Sequence, residues 1–343
     1  MSNPFRLALV GAGMITQQSH LPAALASNAV EVTAIVDPVV ERATGLAKSY
    51  GIDPRIVGRV EDILADVDGA IIATPNDSHR AIAVTCLKAG VSTLIEKPLA
   101  NNYQAGLEIV RAAEESAKVV AVGYSTRFRH SISLLKTLLD EQYFGGVRGF
   151  VHQFGTQGGW APLSSYNLTR NAAGGGVLMV TGTHFLDRML HFWGYPEEAL
   201  LQEDSAGGPE ANCTATFTYP SLPGKGVARY SKTVRLPGGM VIETDNGYVV
   251  LIDNDDAEIV FREHSKPHVE QIIRGTSRLD GNPVASVFQQ QLENFIQACR
   301  GGEPPRVDGR QGLESLRLIE QLYSNKQEQN VNYYPQVERR IAN

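Results

Sequence analysis

The stretch FRLALVGAGMIT (residues 5–16) decides the fold, because an apolar run leads into a glycine turn and then into a helical pattern. Phe5–Val10 is apolar at almost every position, which is typical of a strand covered on both faces of a parallel sheet. Gly11 suits the tight turn, and Gly13 allows backbone N–H groups to approach a phosphate at the helix start. The pattern predicts a dinucleotide-binding βαβ unit, although Thr16 replaces the third glycine of the usual fingerprint. A plain glycine turn between strand and helix is the alternative.

The second predicted strand, Val30–Val36, ends at Asp37. An acid at this position is placed to hydrogen-bond the ribose hydroxyls of an adenosine. Asp37 is followed by Pro38 and two valines, with no adjacent arginine that would pair with a 2′-phosphate. We therefore expect NAD as the cofactor, in preference to NADP. The alternative role for Asp37 is to cap the predicted helix Val39–Ser49.

Strands and helices continue to alternate, which predicts a parallel, doubly wound sheet. Further strands are predicted at Gly69–Thr74, Val91–Ile95 and Val119–Val122, and helices at about Arg80–Ala89 and Gln104–Ser116. The strand Val91–Ile95 stops at Glu96-Lys97-Pro98. Because ligands collect beyond the carboxyl ends of such strands, Lys97 is expected to face a cleft. A solvated lysine beside a turn proline is the simpler alternative.

Length and composition limit the classes of protein that the chain can be. A chain of 343 residues usually forms two domains, and we place them at residues 1–123 and 124–343. A net charge of −6 lacks the basic surface of a nucleic-acid binder. No apolar run reaches the roughly 18 residues of a membrane span. The three scattered cysteines indicate no disulfide framework, so we expect a cytoplasmic protein.

The second half predicts an open sheet and one long loop. Strand-like runs between residues 211 and 273 are separated by turn residues, which favours a mainly antiparallel sheet. The polar, glycine-rich stretch Gly155–Gly176 is either a binding loop or a mobile surface loop. A predicted helix, Val177–Trp193, carries His184, although a lone helical histidine is more often structural. His264 and His268 have metal-like spacing, but Pro267 interrupts a helix between them, so no metal site is predicted.

Taken together, these segments resemble the Gfo/Idh/MocA family of NAD(P)-dependent oxidoreductases. The matching motifs are GAGMIT (11–16), Asp37, ATPNDSH (73–79), EKPLA (96–100), VGYSTRF (122–128) and GGGVLMVTGTHFLD (174–187). The resemblance continues through residues 291–323 and covers essentially the whole chain. It implies an α/β fold with an N-terminal doubly wound Rossmann domain. It also implies a C-terminal α+β domain with a large open, mostly antiparallel sheet, which dimerisation usually covers, so we expect a homodimer or homotetramer.

The resemblance also implies a set of site residues. Lys97 and His184 take the catalytic positions. The cofactor positions are Gly11, Gly13, Met14, Ile15, Asp37, Thr74, Pro75, Asn76, His79, Glu96, Lys97 and Arg127. Lys97, Thr181 and His184 are candidate substrate positions. Independently of the resemblance, Trp160, Tyr166 and Arg170 of the loop Gly155–Gly176 are candidates to line a sugar or polyol pocket, which needs a flat apolar face and a few hydrogen-bonding groups.

One position departs from the family pattern D-x-x-x-H, because Val180 stands where the acid would be, four residues before His184. A valine on that helical face can neither hydrogen-bond nor carry charge. Tyr166 is a hypothetical substitute for the acid. The resemblance implies hydride transfer between NAD(H) and a secondary alcohol or ketone of a sugar, polyol or related hydroxylated ring. The alternatives are an NAD(P)-binding sensor without turnover, which Val180 would explain, and a dehydrogenase of a non-sugar cyclic alcohol such as a dihydrodiol.

Overall fold

Two β-sheets organise the molecule in the computed structural model, which describes residues 3–157, 169–205, 208–253, 258–275 and 286–328. The first sheet contains six strands and the second contains nine. Helices cover the first sheet, whereas one face of the second sheet is largely open in the single chain.

The first sheet is parallel, as predicted. Its strands are β1 (Phe5–Val10), β2 (Val30–Val36), β3 (Arg55–Val57), β4 (Gly69–Ile72), β5 (Ser92–Ile95) and β6 (Val120–Val122). Their order is β3-β2-β1-β4-β5-β6, so the chain reverses direction across the sheet between β1 and β4. Ligands of doubly wound sheets bind at the carboxyl ends of the strands at this point. The short edge strand β3 was not predicted.

Helices connect these parallel strands. They are α1 (Leu21–Leu25), α2 (Val40–Tyr50), α3 (His79–Lys88) and α4 (Tyr103–Ser116), and a π-helical turn, Thr16–His20, leads into α1. Asn102 caps α4, since its side-chain oxygen accepts the N–H of Ala105 at 2.9 Å. Because the π-helical turn Thr16–His20 directly precedes α1, the glycine turn leads straight into the first helix, as the sequence predicted.

The second sheet is mixed but mainly antiparallel. Its strands are β7 (Val147–Gly155), β8 (Glu198–Glu203), β9 (Asn212–Thr218), β10 (Lys225–Ser231), β11 (Leu236–Thr244), β12 (Gly247–Ile252), β13 (Glu258–Glu263), β14 (Gln271–Arg274) and β15 (Lys326–Glu328). They are ordered β14-β13-β12-β11-β7-β10-β9-β8-β15, and only the pairs β7–β10 and β8–β15 are parallel among the described strands. The prediction of a large, mostly antiparallel sheet is confirmed, although β8 was not predicted.

Five helices of the described second half complete the fold. They are α5 (His130–Asp140), α6 (Arg170–Ala173), α7 (Thr183–Trp193), α8 (Val287–Cys299) and α9 (Gly309–Ser324). The predicted helix Val177–Trp193 begins instead as a π-helical turn, Leu178–Gly182, which continues into α7. Phe185 of α7 packs against His152 of β7 and Tyr230 of β10, so this helix lies on the inner face of the second sheet.

The last two helices return to the first sheet. Phe295 of α8 packs edge-on against Phe5 of β1, with ring centroids 6.1 Å apart. Just before α9, the carbonyl of Val307 accepts the N–H of Val122, and Leu316 of α9 lies in the same core as α4. The core of the Rossmann domain therefore includes residues from the end of the chain.

Candidate active site

The glycine turn after β1 has the geometry of a phosphate cradle. Gly11 adopts φ +99°, and a Cβ atom there would lie 2.4 Å from the carbonyl oxygen of Ala73, so only glycine fits. A Cβ at Gly13 would meet nothing within 4 Å, which leaves open space above the turn. Thr16 is buried, and its hydroxyl donates to the Gly11 carbonyl at 2.5 Å. Thr16 therefore stabilises the turn at the position of the missing third glycine.

Asp37 joins the end of β2 to this turn. Its Oδ2 accepts the N–H of Ala12 at 2.9 Å, and its Oδ1 accepts the N–H of Val39 at 2.8 Å. The helix α2 begins at Val40 without a side-chain cap, so the cap predicted as an alternative for Asp37 is not formed. Met14 and Ile15, at the start of the first helix, are 47% and 37% exposed. An open cradle, an acid beside it and exposed apolar side chains over the helix start fit an adenine dinucleotide.

Lys97 lies directly beyond β5, at the carboxyl end of the parallel sheet. Its Nζ donates to the carbonyl oxygen of Val180 at 3.1 Å, across the boundary between the two halves of the chain. Burial lowers the pKa of Lys97, and the negative charge of Glu96 opposes that shift. Lys97 thus reaches the second half of the chain, and its hydrogen-bond partner there is a main-chain oxygen.

The carboxylate of Glu96 bonds both to the Lys97 backbone and to a histidine of the first domain, since its Oε2 accepts the N–H of Lys97 at 3.1 Å. Its Oε1 accepts a hydrogen bond at 2.8 Å from Nε2 of His20, which is 2% exposed. Burial alone would raise the pKa of Glu96, but the hydrogen bond and charge of His20, with the charge of Lys97, lower it overall. The pair fixes the backbone from which Lys97 extends, and sequence reasoning did not identify His20.

Thr74 and Pro75 lie in the loop after β4, and His79 is the first residue of α3, which follows that loop. The ring of His79 is completely buried, with Nε2 at 2.8 Å from the Thr74 carbonyl and Nδ1 at 3.1 Å from the Pro98 carbonyl. Burial lowers the pKa of His79, so the neutral ring donates to one of these oxygens. The carbonyl of Pro75 accepts the Ser78 hydroxyl at 2.7 Å. His79 thus holds the two loops at the carboxyl ends of β4 and β5 and has no exposed surface.

Asn76 and Arg127 both contact the second half of the chain. The side-chain N–H of Asn76 donates to the Ala173 carbonyl at 2.9 Å. Arg127 forms a buried ion pair with Asp187 of α7 at 2.7 Å. Asp187 thus makes a structural ion pair with a basic group from the first half of the chain. Both predicted cofactor residues therefore have partners that join the domains.

His184 is the second residue of α7, and its ring lies edge-on to Tyr124, with centroids 6.2 Å apart. Its Nδ1 is buried and has no hydrogen-bond partner among the residues that the structure describes. Burial, followed by the positive charges of Lys97 and Arg188, lowers the pKa of His184 well below its ordinary value. The neutral imidazole is the stable form, which can accept a proton.

The structure describes four of the six candidate substrate residues, namely Lys97, Arg170, Thr181 and His184. Thr181 lies in the π-helical turn between Val180 and His184 and is partly exposed. Arg170 stacks over the ring of Tyr323 at 4.7 Å and lines a cavity of about 340 Å³ between α6 and α9. Trp160 and Tyr166 lie outside the described residues.

Two buried groups near α7 were missed by sequence reasoning. Arg188, one turn beyond His184, pairs with Asp253 at 2.6 Å, and His152 donates to the other carboxylate oxygen at 3.0 Å. Glu210 accepts N–H groups at the start of the π-helical turn. Each pair is far apart in sequence, so no local pattern predicts it. Among the described residues no cluster of three or more histidine, cysteine or acidic side chains is arranged to hold a metal ion.

Two sequence models match this chain in succession. The Gfo/Idh/MocA model for an oxidoreductase family with an NAD-binding Rossmann fold matches residues 5–124. The companion model for the C-terminal alpha/beta domain matches residues 136–333. The chain belongs to the Gfo/Idh/MocA oxidoreductase family. The predicted family, fold and NAD-type cofactor are confirmed, and this Gfo/Idh/MocA protein is an NAD(P)-dependent oxidoreductase.

Individual proteins that are similar to this chain are also oxidoreductases by name. This Gfo/Idh/MocA oxidoreductase is 28% identical to D-glucoside 3-dehydrogenase of Escherichia coli K12, over 94% of this chain and 96% of that protein. It is 35% identical to inositol 2-dehydrogenase of Rhodococcus jostii RHA1, over only 43% of this chain and 40% of that protein. The crystal structure of aldose-aldose oxidoreductase from Caulobacter crescentus, complexed with glycerol, superimposes with a TM-score of 0.83 at 22% identity, covering 94% of this chain and 97% of that one.

Proposed function

We propose that this Gfo/Idh/MocA oxidoreductase transfers hydride between NAD and a secondary alcohol or ketone of a sugar, polyol or related hydroxylated ring. The observation that carries the proposal is the approach of two groups from different domains at the carboxyl ends of β4 and β5. Lys97 contributes an ammonium group that reaches Val180, and His184 contributes a neutral imidazole four residues further along the same helix. The relatives that act on glucosides and inositol support this class of substrate.

His184 and Lys97 have complementary roles in this chemistry. When bound, NAD supplies the hydride acceptor for alcohol oxidation. His184 accepts the hydroxyl proton, because its depressed pKa keeps the ring neutral. The Lys97 ammonium orients the hydroxyl oxygen and stabilises the negative charge that develops on it. In the reduction direction, His184 returns the proton to the carbonyl oxygen.

NAD is favoured over NADP by the surroundings of Asp37. Both of its carboxylate oxygens accept backbone N–H groups at the turn, which holds the carboxylate in place. A fixed negative charge accepts ribose hydroxyls but repels a 2′-phosphate. We expect Asp37→Ala to weaken NAD binding and to reduce the preference for NAD over NADP, measured as the ratio of the two kcat/KM values.

The function is tested with purified protein, NAD and a panel of inositols, glucosides, other polyols and cyclic alcohols, by absorbance in the NADH band. Wild-type protein should reduce NAD with at least one member of the panel. Lys97→Ala and His184→Ala should each lower kcat by about 10²- to 10⁴-fold. The matched controls are Lys88→Ala and His268→Ala, which alter exposed side chains. Equal rates in Lys97→Ala and Lys88→Ala would contradict the assigned roles.

A second function, a sensor that binds NAD without turnover, is favoured by one observation. Val180 is 5% exposed and supplies no side-chain acid next to His184. The panel separates the two functions, since a sensor would bind NAD in a calorimeter and reduce none of it. Val180→Asp sharpens the test, with Val180→Asn as a neutral control of similar size. If Val180 reshapes the active site, the carboxylate raises the pKa of His184 and shifts the acidic limb of the pH–rate profile upward, whereas the amide does not.

We also propose that two copies associate through the open face of the second sheet. Val151, Val241 and Ile252 are 40%, 41% and 50% exposed on adjacent strands β7, β11 and β12. Contiguous exposed apolar side chains of this kind are typical of an interface. A homodimer or a homotetramer would cover them.

A cytoplasmic location remains a proposal supported by cysteine chemistry. All three cysteines, Cys86, Cys213 and Cys299, are free, and burial raises the pKa of each thiol. Free thiols persist in a reducing compartment. Among the described residues, no helix has the length and apolar character to cross a membrane.

A further inference from the structure

The start of the helix that carries His184 is held by one distant residue, Glu210. Glu210 lies just before β9 and is 1% exposed. Its Oε2 accepts the N–H of Gly176 at 2.9 Å, and its Oε1 accepts the N–H of Leu178 at 2.9 Å. Its own backbone carbonyl accepts the N–H of Val177, also at 2.9 Å. Three consecutive amides at a helix start, which have no partners within the helix, therefore all bond to the same residue.

Two further contacts fix the orientation of Glu210. The hydroxyl of Tyr323 in α9 donates to its Oε1 at 2.8 Å. Gly176 approaches so closely that a Cβ atom there would lie 2.1 Å from the Glu210 carbonyl oxygen. The contact with α9 also links this network to a helix that packs on the first domain.

The segment held in this way presents Val180 to Lys97. The π-helical turn Leu178–Gly182 begins at one of the bonded amides, and Lys97 Nζ donates to the Val180 carbonyl within it. A π-helical turn is wider than an α-helical turn, shifts the hydrogen bonds from i+4 to i+5, and occurs frequently at functional sites. Any rotation of this turn would move both the Val180 carbonyl and the Thr181 side chain.

We propose that Glu210 is a positioning residue of the reaction, which acts by fixing the π-helical turn so that the Val180 carbonyl orients the Lys97 ammonium. This inference rests on the proposed function. The Val180 side chain has no atom that can orient an ammonium group, so in this proposal the main-chain carbonyl of residue 180 has that role. Glu210 itself touches neither Lys97 nor His184 through any hydrogen bond of the described residues.

Glu210→Gln tests the proposal most directly. The glutamine oxygen can accept one backbone N–H, but its NH₂ group faces another donor, so one amide is left unpaired. We expect faster hydrogen exchange at the amides of residues 176–178. We also expect kcat to fall by about tenfold or more, while KM for NAD changes by less than about twofold, because the cofactor cradle is untouched.

The matched control is Glu203→Gln, which alters another buried carboxylate in the same part of the chain. Glu203 accepts hydrogen bonds from the Lys326 ammonium at 2.6 Å and from the Ser205 hydroxyl at 2.7 Å, and within the described part of the chain no hydrogen bond joins it to the π-helical turn. This variant should lose stability but retain kcat. Equal losses of kcat in the two variants would overturn the proposal.

A double variant shows whether Glu210 acts through Lys97. If it does, Glu210→Gln combined with Lys97→Ala should have a kcat within about threefold of Lys97→Ala alone. Multiplicative losses would overturn the proposal. If Glu210→Gln fails to fold, Tyr323→Phe is the variant to measure. It removes the hydroxyl that donates to Glu210 and keeps the ring beneath Arg170. It should lower kcat by about two- to threefold, and an unchanged kcat would then count against the proposal.

A readout without turnover separates this inference from the proposed function. If no substrate reduces NAD, the proposed function fails, whereas the positioning of Lys97 is still measurable by its rate of acetylation in the protein without cofactor. Glu210→Gln should accelerate acetylation of Lys97 several-fold over wild type, with Glu203→Gln unchanged. Equal acetylation rates in wild type and Glu210→Gln would overturn the inference.

Discussion

Burial disfavours the charged forms of both Lys97 and His184, and the charge of Lys97 also acts on His184. Burial and the positive charge of Lys97 both lower the pKa of His184. Burial lowers the pKa of Lys97, with Glu96 opposing the shift. An acid at position 180 would raise the pKa of His184, but Val180 carries no charge. At neutral pH the stable state is therefore a neutral imidazole beside an ammonium group.

The pH dependence of alcohol oxidation follows from these shifts. The neutral form of His184 is required, so activity is retained above its lowered pKa and is lost only as the pH falls through it. The cationic form of Lys97 is required, so activity is lost as the pH rises through its lowered pKa. We expect kcat/KM to form a bell with both limbs below the ordinary pKa values of the two groups.

Lys97→Arg separates the limbs, because a guanidinium remains charged throughout the accessible pH range. It should remove the alkaline limb of the profile, measured in the same assay, while kcat falls because arginine cannot reproduce the lysine geometry. An alkaline limb that is unchanged in Lys97→Arg would assign that limb to another group.

At the scale of elements, the helix α7 is fixed by buried charges on both sides. Arg127 pairs with Asp187, and Arg188 pairs with Asp253 at the end of β12. Burial alone would raise the pKa of Asp253, but Arg188 and His152 lower it to about 2. These pairs hold the helix that carries His184 between the first domain and the second sheet.

Asp253→Asn should destabilise the protein by about 3–5 kcal/mol, because it leaves the buried guanidinium of Arg188 without its counter-ion. Chemical denaturation measures this change. The stabilisation from Asp253 is present above the ordinary aspartate pKa and is lost as the pH falls through about 2, so the difference between wild type and variant should shrink in acid.

The control is Asp245→Asn, which breaks the exposed pair of Arg148 and Asp245 and should change stability by less than about 1 kcal/mol. Similar losses in both variants would show that the buried pair has no special role. A double variant with Arg188→Met should recover part of the loss, since no unpaired charge remains.

Local sequence predicted the elements well and their long-range contacts poorly. Phe5–Val10, Gly11 and Asp37 indicate the nucleotide-binding unit because the strand, the turn and the acid at the end of the next strand follow in the order of one βαβ unit. The strand Arg55–Val57 is too short for a periodic pattern. The bonds from His20 to Glu96 and from Glu210 to Gly176 join residues 76 and 34 positions apart. Such pairings depend on the packed fold, so no spacing rule reveals them.

At the scale of the whole molecule, the end of the chain completes the core at its beginning. Phe295 is fully buried and packs on Phe5 and against Gly69 of β4. We expect Phe295→Ala to destabilise the protein by about 3–5 kcal/mol through the lost burial and the cavity that remains. Denaturant unfolding, followed by NAD binding, measures the effect on the Rossmann domain.

Gln297→Ala, on the exposed face of the same helix, is the control and should change stability by about 0.5 kcal/mol at most. The contrary result would be that Phe295→Ala destabilises only the second sheet, while NAD binding is lost at the same denaturant concentration as in the wild type. In that case α8 would not belong to the core of the Rossmann domain.

The open sheet face gives a prediction about assembly. Val241→Glu places a charge in the middle of the exposed apolar strip and should convert the proposed dimer or tetramer into smaller species, as measured by light scattering after size exclusion. Leu25→Glu, on an exposed position of α1, should leave the mass unchanged. A monomeric wild-type protein would contradict the proposed interface.

The return of α8 to β1 also affects how the protein is made. During synthesis, the glycine turn and all six strands of the first sheet emerge long before residues 287–299 leave the ribosome. Until then, the apolar surface that Phe295 covers is exposed on the nascent chain, which is a condition that attracts chaperones and promotes aggregation. The six strands of the nucleotide-binding domain precede the second sheet in the chain, yet the core of that domain is complete only after α8 has been synthesised.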